Sequence, residues 1–113
     1  MAEHFQVNTE KRQEATILTP HGDIDMGVSP QFREALKTAQ ESHPRRLVVN
    51  MGGVGYMDSS GLATLVEAMK LTRGDGTRLV LCALSDRVKA IFEIARLEKY
   101  FTITGDLDSA VQA

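Results

Sequence analysis

A short run, Asp58–Gly61 (Asp-Ser-Ser-Gly), carries the most chemistry that the sequence offers. Aspartate and serine favour helix N-caps, because their side-chain oxygens accept hydrogen bonds from the N–H groups that a helix start leaves without partners. Those N–H groups and the positive end of the helix dipole also favour an anion. A phosphate on a serine there would add roughly −1.5 to −2 charges. The run therefore predicts either an ordinary helix cap or a phosphorylation switch.

Nearby acidic residues indicate what a phosphorylation switch would do. Asp23 and Asp25 belong to a Gly-Asp-Ile-Asp turn, and with Asp58 they would form an acidic surface. A helix start tolerates added negative charge, whereas an acidic surface does not favour it. Phosphorylation of this run is therefore expected to cost the fold little and to disturb a bound partner.

Three apolar residues lie in or beside these two loops: Met26, Val28 and Met57. They could be partly buried core residues. They could also form an adaptable apolar patch for a partner, because methionine suits such surfaces. The sequence leaves both interpretations open.

Catalytic and metal-binding interpretations find little support. A triad of His21, Asp25 and Ser59 can be drawn, but neither their order nor their spacing supports it, and the chain lacks a Gly-x-Ser-x-Gly elbow. The single cysteine, Cys82, cannot form an internal disulfide or a cysteine-based zinc site. Three histidines are scattered without metal-ligand spacing: His4, His21 and His43. We therefore expect no catalytic site, no metal site and no cofactor.

Composition narrows the class of protein further. Thirteen Lys and Arg face fifteen Asp and Glu, for a formal net charge of −2, which argues against a nucleic-acid partner. With 113 residues, of which 42% are hydrophobic, the chain is expected to form one domain over residues 1–113. No segment approaches the roughly 20 apolar residues of a membrane span, and the N-terminus does not read as a signal peptide. We expect a cytoplasmic location and no membrane insertion.

The elements that must position the run begin with a predicted hairpin. Two strand-like segments, Phe5–Thr9 and Glu14–Pro20, flank a polar stretch at Glu10–Gln13 that could form the turn. A helix follows, with Ser29 as its predicted N-cap and Pro30 in its first turn. The helix is expected to end at His43-Pro44, because the residue before a proline avoids the helical conformation. Its apolar stripe has the spacing of a helix and consists of Phe32, Ala35, Leu36 and Ala39.

The rest of the chain alternates strands and helices. Buried-type strands are predicted at Arg45–Asn50 and Arg78–Leu84, and a short strand at Tyr100–Thr104. Amphipathic helices are predicted from the Asp-Ser-Ser-Gly run to near Gly74, after Ser85 or Asp86, and at Leu107–Val111. This order predicts an α/β sandwich whose sheet has a parallel portion.

Several of these segments together resemble a known family. The matching segments span nearly the whole chain: Gly22–Asp25, Leu47–Asn50, Val54–Leu62, Leu79–Cys82 and Val88–Phe92. They are similar to the STAS domain, and specifically to the stand-alone anti-sigma-factor antagonists, also called anti-anti-sigma factors. The resemblance implies a STAS-like sandwich with a mixed four- to five-stranded sheet, an N-terminal antiparallel hairpin and about four helices.

The resemblance also implies a function. In such proteins the unphosphorylated form binds an anti-sigma factor and releases a sigma factor. The anti-sigma factor, a GHKL-type serine kinase, phosphorylates the first serine of the run, here Ser59. Phosphorylation switches binding off, and a PP2C-type phosphatase restores it. The protein is expected to be a monomer when free.

The implied partner-binding residues come from both loops: Asp23, Asp25, Met26, Val28, Met57, Asp58, Ser60 and Gly61. Asp25 and Asp58 would flank the phosphorylated serine, and Ser60 and Gly61 would shape the helix start. The sequence alone does not separate Ser59 from Ser60 as the phosphoacceptor. An alternative function is a constitutive STAS scaffold that uses the same face without phosphorylation, such as an accessory subunit of a lipid-transport ATPase or a part of a signalling assembly.

Two positions depart from the family pattern. Gly52-Gly53 replaces a more polar or bulky pair before the loop, which indicates a more mobile loop. Arg96 stands where relatives often have the glycine that closes the third helix. A left-handed helix end is less favourable without that glycine.

Overall fold

The computed structural model describes residues 5–113, so His4 lies outside the described residues. The strands are β1 (Gln6–Arg12), β2 (Ala15–His21), β3 (Arg46–Asn50), β4 (Arg78–Cys82) and β5 (Thr102–Thr104). The helices are α1 (Ser29–Glu41), α2 (Ser59–Asp75), α3 (Asp86–Ile94) and α4 (Leu107–Gln112). None of these helices is long and apolar enough to cross a membrane.

The strands form one mixed sheet in the order β1-β2-β3-β4-β5. β1 and β2 pair antiparallel, and the remaining pairs are parallel. The predicted mixed sheet with an N-terminal antiparallel hairpin and four helices is confirmed. Because the middle strands are parallel, their carboxyl ends meet at one edge of the sheet, where loops can assemble a site.

Alternation along the strands builds a core on each face of the sheet. Leu47 and Val49 of β3 point to the face covered by α1, α2 and α3, whereas Val48 points to the face covered by α4. All three side chains are fully buried. Burial on both faces explains why β3 reads as an uninterrupted apolar run rather than an alternating one.

The hairpin turn is shorter than predicted. Pairing continues to Arg12 opposite Ala15, so the turn is Gln13–Glu14 rather than Glu10–Gln13. Gln13 adopts a left-handed backbone with φ 57°, as tight two-residue turns require of a turn residue. The polar residues before it remain in β1, because β1 is an edge strand whose side chains are mostly exposed.

The predicted cap of the first helix was wrong. Ser29 is the first residue of α1 and is buried, and Val28 occupies the N-cap position without a side-chain hydrogen bond. The backbone oxygen of Asp25 instead accepts hydrogen bonds from the N–H groups of Val28 (3.1 Å) and Ser29 (2.9 Å). A turn of the preceding loop therefore holds the start of α1.

Left-handed residues set two later boundaries. β4 ends at Cys82, two residues earlier than predicted, and the next residue, Ala83, has φ 60°. Ser85 rather than Asp86 caps α3, since its hydroxyl accepts a hydrogen bond from Val88 N–H at 3.3 Å. Arg96 closes α3 with φ 60°, the conformation for which glycine is favoured.

Candidate functional site

The two loops singled out by sequence lie side by side at the carboxyl edge of the sheet. We call Gly22–Val28 the acidic turn and Tyr56–Gly61 the serine loop. Ile24 N–H donates to Tyr56 O, and Asp58 N–H donates to Ile24 O, each at 3.0 Å. One short parallel bridge thus joins Ile24 to Met57 and fixes the acidic turn against the start of α2.

Gly53 allows the two segments to meet already at His21, three residues before Ile24. Gly22 N–H donates to Gly53 O at 3.0 Å, and Gly53 forms a parallel bridge with His21. A Cβ atom on Gly53 would lie 2.8 Å from His21 Nδ1 and 2.9 Å from Pro20 O. The structure therefore gives Gly53 a packing reason that the sequence interpretation, which stressed loop mobility, did not contain.

Asp58 is the N-cap of α2. Its Oδ1 accepts hydrogen bonds from Ser60 N–H (2.8 Å), Ser60 Oγ (2.5 Å) and Gly61 N–H (3.4 Å). The Ser60 hydroxyl bond is the largest influence that lowers the pKa of Asp58, the two N–H groups act in the same direction, and burial opposes them. Asp58 is thus held as a carboxylate and orders the helix start.

The two adjacent serines have different surroundings. Ser60 is half-buried, its hydroxyl donates to Asp58, and its backbone oxygen accepts from Thr64 Oγ1 at 2.8 Å. Ser59 is exposed as the first residue of α2, and its hydroxyl has no hydrogen-bond partner within residues 5–113. Only Ser59 of the pair therefore offers a hydroxyl that can be approached without breaking the cap.

Gly61 is a packing residue. A Cβ atom there would lie 2.8 Å from Ile24 Cγ2 and closer still to Met57 Cγ. Met57, predicted as a partner contact, is fully buried beneath Gly61, so that prediction is corrected. Gly61 is buried as well and does not belong to the exposed surface. Both residues support the serine loop from below.

One of its own carboxylates also stabilises the acidic turn. Asp25 Oδ1 accepts a hydrogen bond from Gly27 N–H at 2.9 Å, while its backbone oxygen holds the start of α1. Asp23 and Met26 are exposed, and Met26 keeps 76% of its surface accessible. Val28 is half-buried and packs against the core. The turn therefore presents Met26 together with the carboxylates of Asp23 and Asp25.

Two residues at the site, Tyr56 and Arg87, were not among the individually predicted partner-binding residues, although Tyr56 lies in the predicted loop. Tyr56 is 41% exposed, and the guanidinium group of Arg87 lies 5.9 Å from the centre of its ring. An exposed aromatic residue in a glycine-rich loop could have signalled a contact residue. Arg87 carried no such signal, because its proximity depends on how α3 packs.

The other reactive side chains lie apart from the serines. The His21 ring pairs with Asn8 Nδ2 at 3.3 Å, and no hydrogen bond joins it to Asp25 or Ser59 in the part of the chain that the structure describes. Burial raises the pKa of the Cys82 thiol to about 11, with Asp106 adding to the effect. Within residues 5–113, no three His, Cys, Asp or Glu side chains form a group that could hold a metal ion.

Comparisons with known proteins cover most of the chain. The family model described as STAS domain matches residues 6–110. The anti-sigma-B factor antagonist of Listeria monocytogenes is 39% identical over 82 residues, which make up 73% of this chain and 72% of the relative.

Solved structures extend the likeness to the fold. An anti-sigma factor antagonist from Mycobacterium paratuberculosis has a TM-score of 0.89 at 20% identity, over 96% of this chain and 92% of that one. The anti-sigma factor antagonist SpoIIAA in its unphosphorylated form has a TM-score of 0.72 at 17% identity, over 96% and 94% of the two chains.

The close contact at Gly61 gives a stability prediction. Gly61→Ala forces a methyl group against Met57 and Ile24, and we expect a loss of about 1–3 kcal/mol in the free energy of unfolding. Gly74→Ala is the matched control, because it lies in the same helix with no atom within 4 Å of the added Cβ. It should be neutral or stabilising by up to about 1 kcal/mol. Urea denaturation measures both variants, and equal stability of the two would contradict the packing role.

The lowered pKa of Asp58 predicts a pH dependence. The folded state favours the carboxylate, so Asp58 stabilises the fold above its ordinary pKa of 3.8 and loses that effect as pH falls through the lower folded value. Asp58→Ala should cost about 1 kcal/mol at neutral pH through loss of the cap. We expect the difference from wild type to shrink as pH falls below about 3.8.

Denaturant titrations of both proteins across this pH range test the prediction. Asp58→Asn, which keeps a neutral cap, serves as the control. If the difference in the free energy of unfolding between wild type and Asp58→Ala stays constant down to the lowest pH, the stabilisation does not come from the carboxylate.

Proposed function

The chain belongs to the STAS domain family, and we propose that it is an anti-sigma-factor antagonist whose binding is switched off by phosphorylation of Ser59. The relative from Listeria monocytogenes bears the name of such an antagonist. The observation that supports the switch is the exposed hydroxyl of Ser59, which takes no part in the helix cap. Ser59 is the first residue of α2 and lies beside the acidic turn.

The local geometry favours Ser59 over Ser60 as the phosphoacceptor. Transfer of a phosphoryl group to Ser60 would remove the hydroxyl proton that it donates to Asp58 and place a second anion against that carboxylate. Ser59 requires no such loss. Its phosphate would lie at the positive end of α2, where the helix dipole favours negative charge.

The same phosphate would act strongly on a bound partner. It adds roughly −1.5 to −2 charges next to the exposed carboxylates of Asp23 and Asp25. The formal net charge of the whole chain is only −2, so one modification nearly doubles it at a single spot. A partner surface that complements the unmodified face would lose that complementarity and gain the cost of desolvating a phosphate.

The partner surface that we propose consists of exposed groups on both loops. Met26 and Tyr56 supply apolar anchors, and methionine and tyrosine are both enriched in protein interfaces. Asp23, Asp25 and the exposed edge of Val28 complete the side of the acidic turn. Asp58 and Ser60 act indirectly, by holding the start of α2 in place.

The partners supply the chemistry in this proposal. The anti-sigma factor would be a GHKL-type serine kinase, a PP2C-type phosphatase would reverse the reaction, and the chain itself would act as a single non-catalytic domain in the cytoplasm. It would bind no cofactor and no nucleic acid, and would be a monomer when free. The support is the family resemblance around Ser59 together with the name of the 39%-identical relative.

Phosphorylation is the direct test. The purified protein, mixed with its cognate anti-sigma kinase and ATP, should gain one phosphate, located on Ser59 by fragmentation mass spectrometry. Ser59→Ala should gain none, whereas the matched variant Ser60→Ala should still be modified. Phosphate on Ser60, or none with any kinase of this class from the same genome, would contradict the switch. In the second case a constitutive scaffold would be favoured.

Binding to the anti-sigma factor tests the electrostatic part. Ser59→Ala should bind like wild type, and Ser59→Asp should bind at least about tenfold more weakly, because like charges across an interface are costly. Ser109→Asp adds the same charge at the exposed first turn of α4 and should leave the affinity unchanged. Calorimetric titration measures all three. Equal affinities for Ser59→Asp and wild type would show that charge at Ser59 is not the switch.

A further inference from the structure

The sulfur-containing side chains of the protein differ sharply in their access to solvent. Met26 in the acidic turn keeps 76% of its surface accessible. Met51 and Met57 are fully buried, and Met69 in α2 is nearly so. Cys82 at the end of β4 is fully buried as well. Within the part of the chain that the structure describes, only the thioether of Met26 is therefore open to a reagent in solution.

The thiol of Cys82 is protected by its chemistry as well as by its position. Burial raises the pKa of this thiol to about 11, and Asp106 adds to the effect. Oxidants attack the thiolate rather than the thiol, so a thiol that stays protonated at neutral pH and is buried reacts slowly. Cys82 therefore does not compete with Met26 for a mild oxidant.

The backbone on both sides of Met26 is held in place by hydrogen bonds. Gly27 N–H donates to Asp25 Oδ1 at 2.9 Å, and Val28 N–H donates to Asp25 O at 3.1 Å. On the other side, Ile24 is bonded to the serine loop through both its N–H and its backbone oxygen. The thioether of Met26 takes no part in these bonds, so a change in the chemistry of the sulfur leaves the turn intact.

Oxidation would change the character of Met26 at the place where a partner is proposed to bind. A thioether is apolar and flexible, which suits it to a protein interface. A sulfoxide is polar and carries an oxygen that accepts hydrogen bonds. Burying that oxygen against a surface that offers no donor costs free energy. The same side chain would then oppose the contact that it favours in its reduced form.

We propose that Met26 is a site of reversible oxidation by peroxides, and that its sulfoxide weakens binding of the anti-sigma factor. The proposal combines the selective exposure of the Met26 sulfur with its place between the carboxylates of Asp23 and Asp25 and the serine loop. It rests on the proposed function, because the binding that it regulates is the one assigned to this surface. It does not depend on phosphorylation of Ser59.

The reaction needs only hydrogen peroxide as the oxidant. A lone pair of the Met26 sulfur attacks one peroxide oxygen, and the S–O bond forms as the O–O bond breaks. The departing hydroxide takes the proton of the transferred hydroxyl and leaves as water, so the sulfur loses two electrons and the peroxide gains them. Hydrogen peroxide is uncharged, and the carboxylates of Asp23 and Asp25 therefore do not repel it. The sulfoxide is also uncharged, so it acts through polarity and leaves the formal net charge at −2.

Peptide mass spectrometry of the full chain after treatment with hydrogen peroxide tests the selectivity. In the native protein, Met26 should gain one oxygen atom at least about tenfold faster than Met51, Met57 and Met69, because oxidation follows exposure. In urea at a concentration that unfolds the chain, the four rates should become similar, which would assign the selectivity to the fold. Comparable rates for the four methionines in the native protein would overturn the proposal.

Calorimetric titration with the anti-sigma factor tests the consequence for binding. Peroxide treatment should weaken binding of the wild-type protein about tenfold, the effect of burying a polar group without a partner. Reduction by methionine sulfoxide reductases for both sulfoxide epimers should restore the affinity. Met26→Leu keeps every other methionine, so its affinities before and after the same treatment should agree. An equal loss in Met26→Leu would assign the effect to another residue and overturn the proposal.

The untreated protein separates this inference from the proposed function. If untreated protein does not bind the anti-sigma factor, the proposed function fails and the inference fails with it. If untreated protein binds and the Met26 sulfoxide binds equally well, only the inference fails. Urea denaturation of the oxidised protein completes the test, because its stability should equal that of untreated protein. A loss of stability together with the loss of affinity would show that oxidation acts through the fold, which would also overturn the proposal.

Discussion

The backbone pairing of Ile24 with Tyr56 and Asp58 is the interaction on which the proposed surface depends. It joins the loop after β2 to the loop after β3, and neither loop contains regular secondary structure of its own. The pairing is tight because Gly53 and Gly61 leave room where any side chain would collide. Without it, Met26 and Ser59 would lie on independent loops, and one partner could not contact both at a fixed distance.

In this arrangement, some polar residues stabilise the two loops and others remain free of structural hydrogen bonds. Asp58 and Ser60 hold the start of α2, and Asp25 holds both its own turn and the start of α1. Ser59 and Asp23 take part in none of these hydrogen bonds, so they can change their charge state or contacts without loosening the fold. A covalent switch needs such a separation, because a phosphate on a capping group would alter the structure that presents it.

The sequence predicted the elements well and their local chemistry less well. Helical periodicity and buried apolar runs predicted α1 to α4 and β2 to β5, because burial imposes those patterns directly. The predicted N-cap of α1 was wrong because the backbone oxygen of Asp25, rather than the side chain of Ser29, accepts the hydrogen bonds at the helix start. Met57 was misplaced because a loop has no periodicity that separates buried from exposed positions, and its burial follows from Gly61 above it.

The two ends of helix α2 differ in the sign of the charge that they favour. At Ser59 the positive end of the dipole favours negative charge, although Asp58 already accepts hydrogen bonds from the N–H groups of Ser60 and Gly61. At Gly76 the dipole presents its negative end, which opposes an anion and favours a cation such as Arg73. Arg73 alone would only satisfy the helix end. Two neighbouring arginines at this end of the sheet have partners of their own, because Arg45 pairs with Glu14 at 3.3 Å and Arg46 Nε donates to Ala113 O at 2.6 Å.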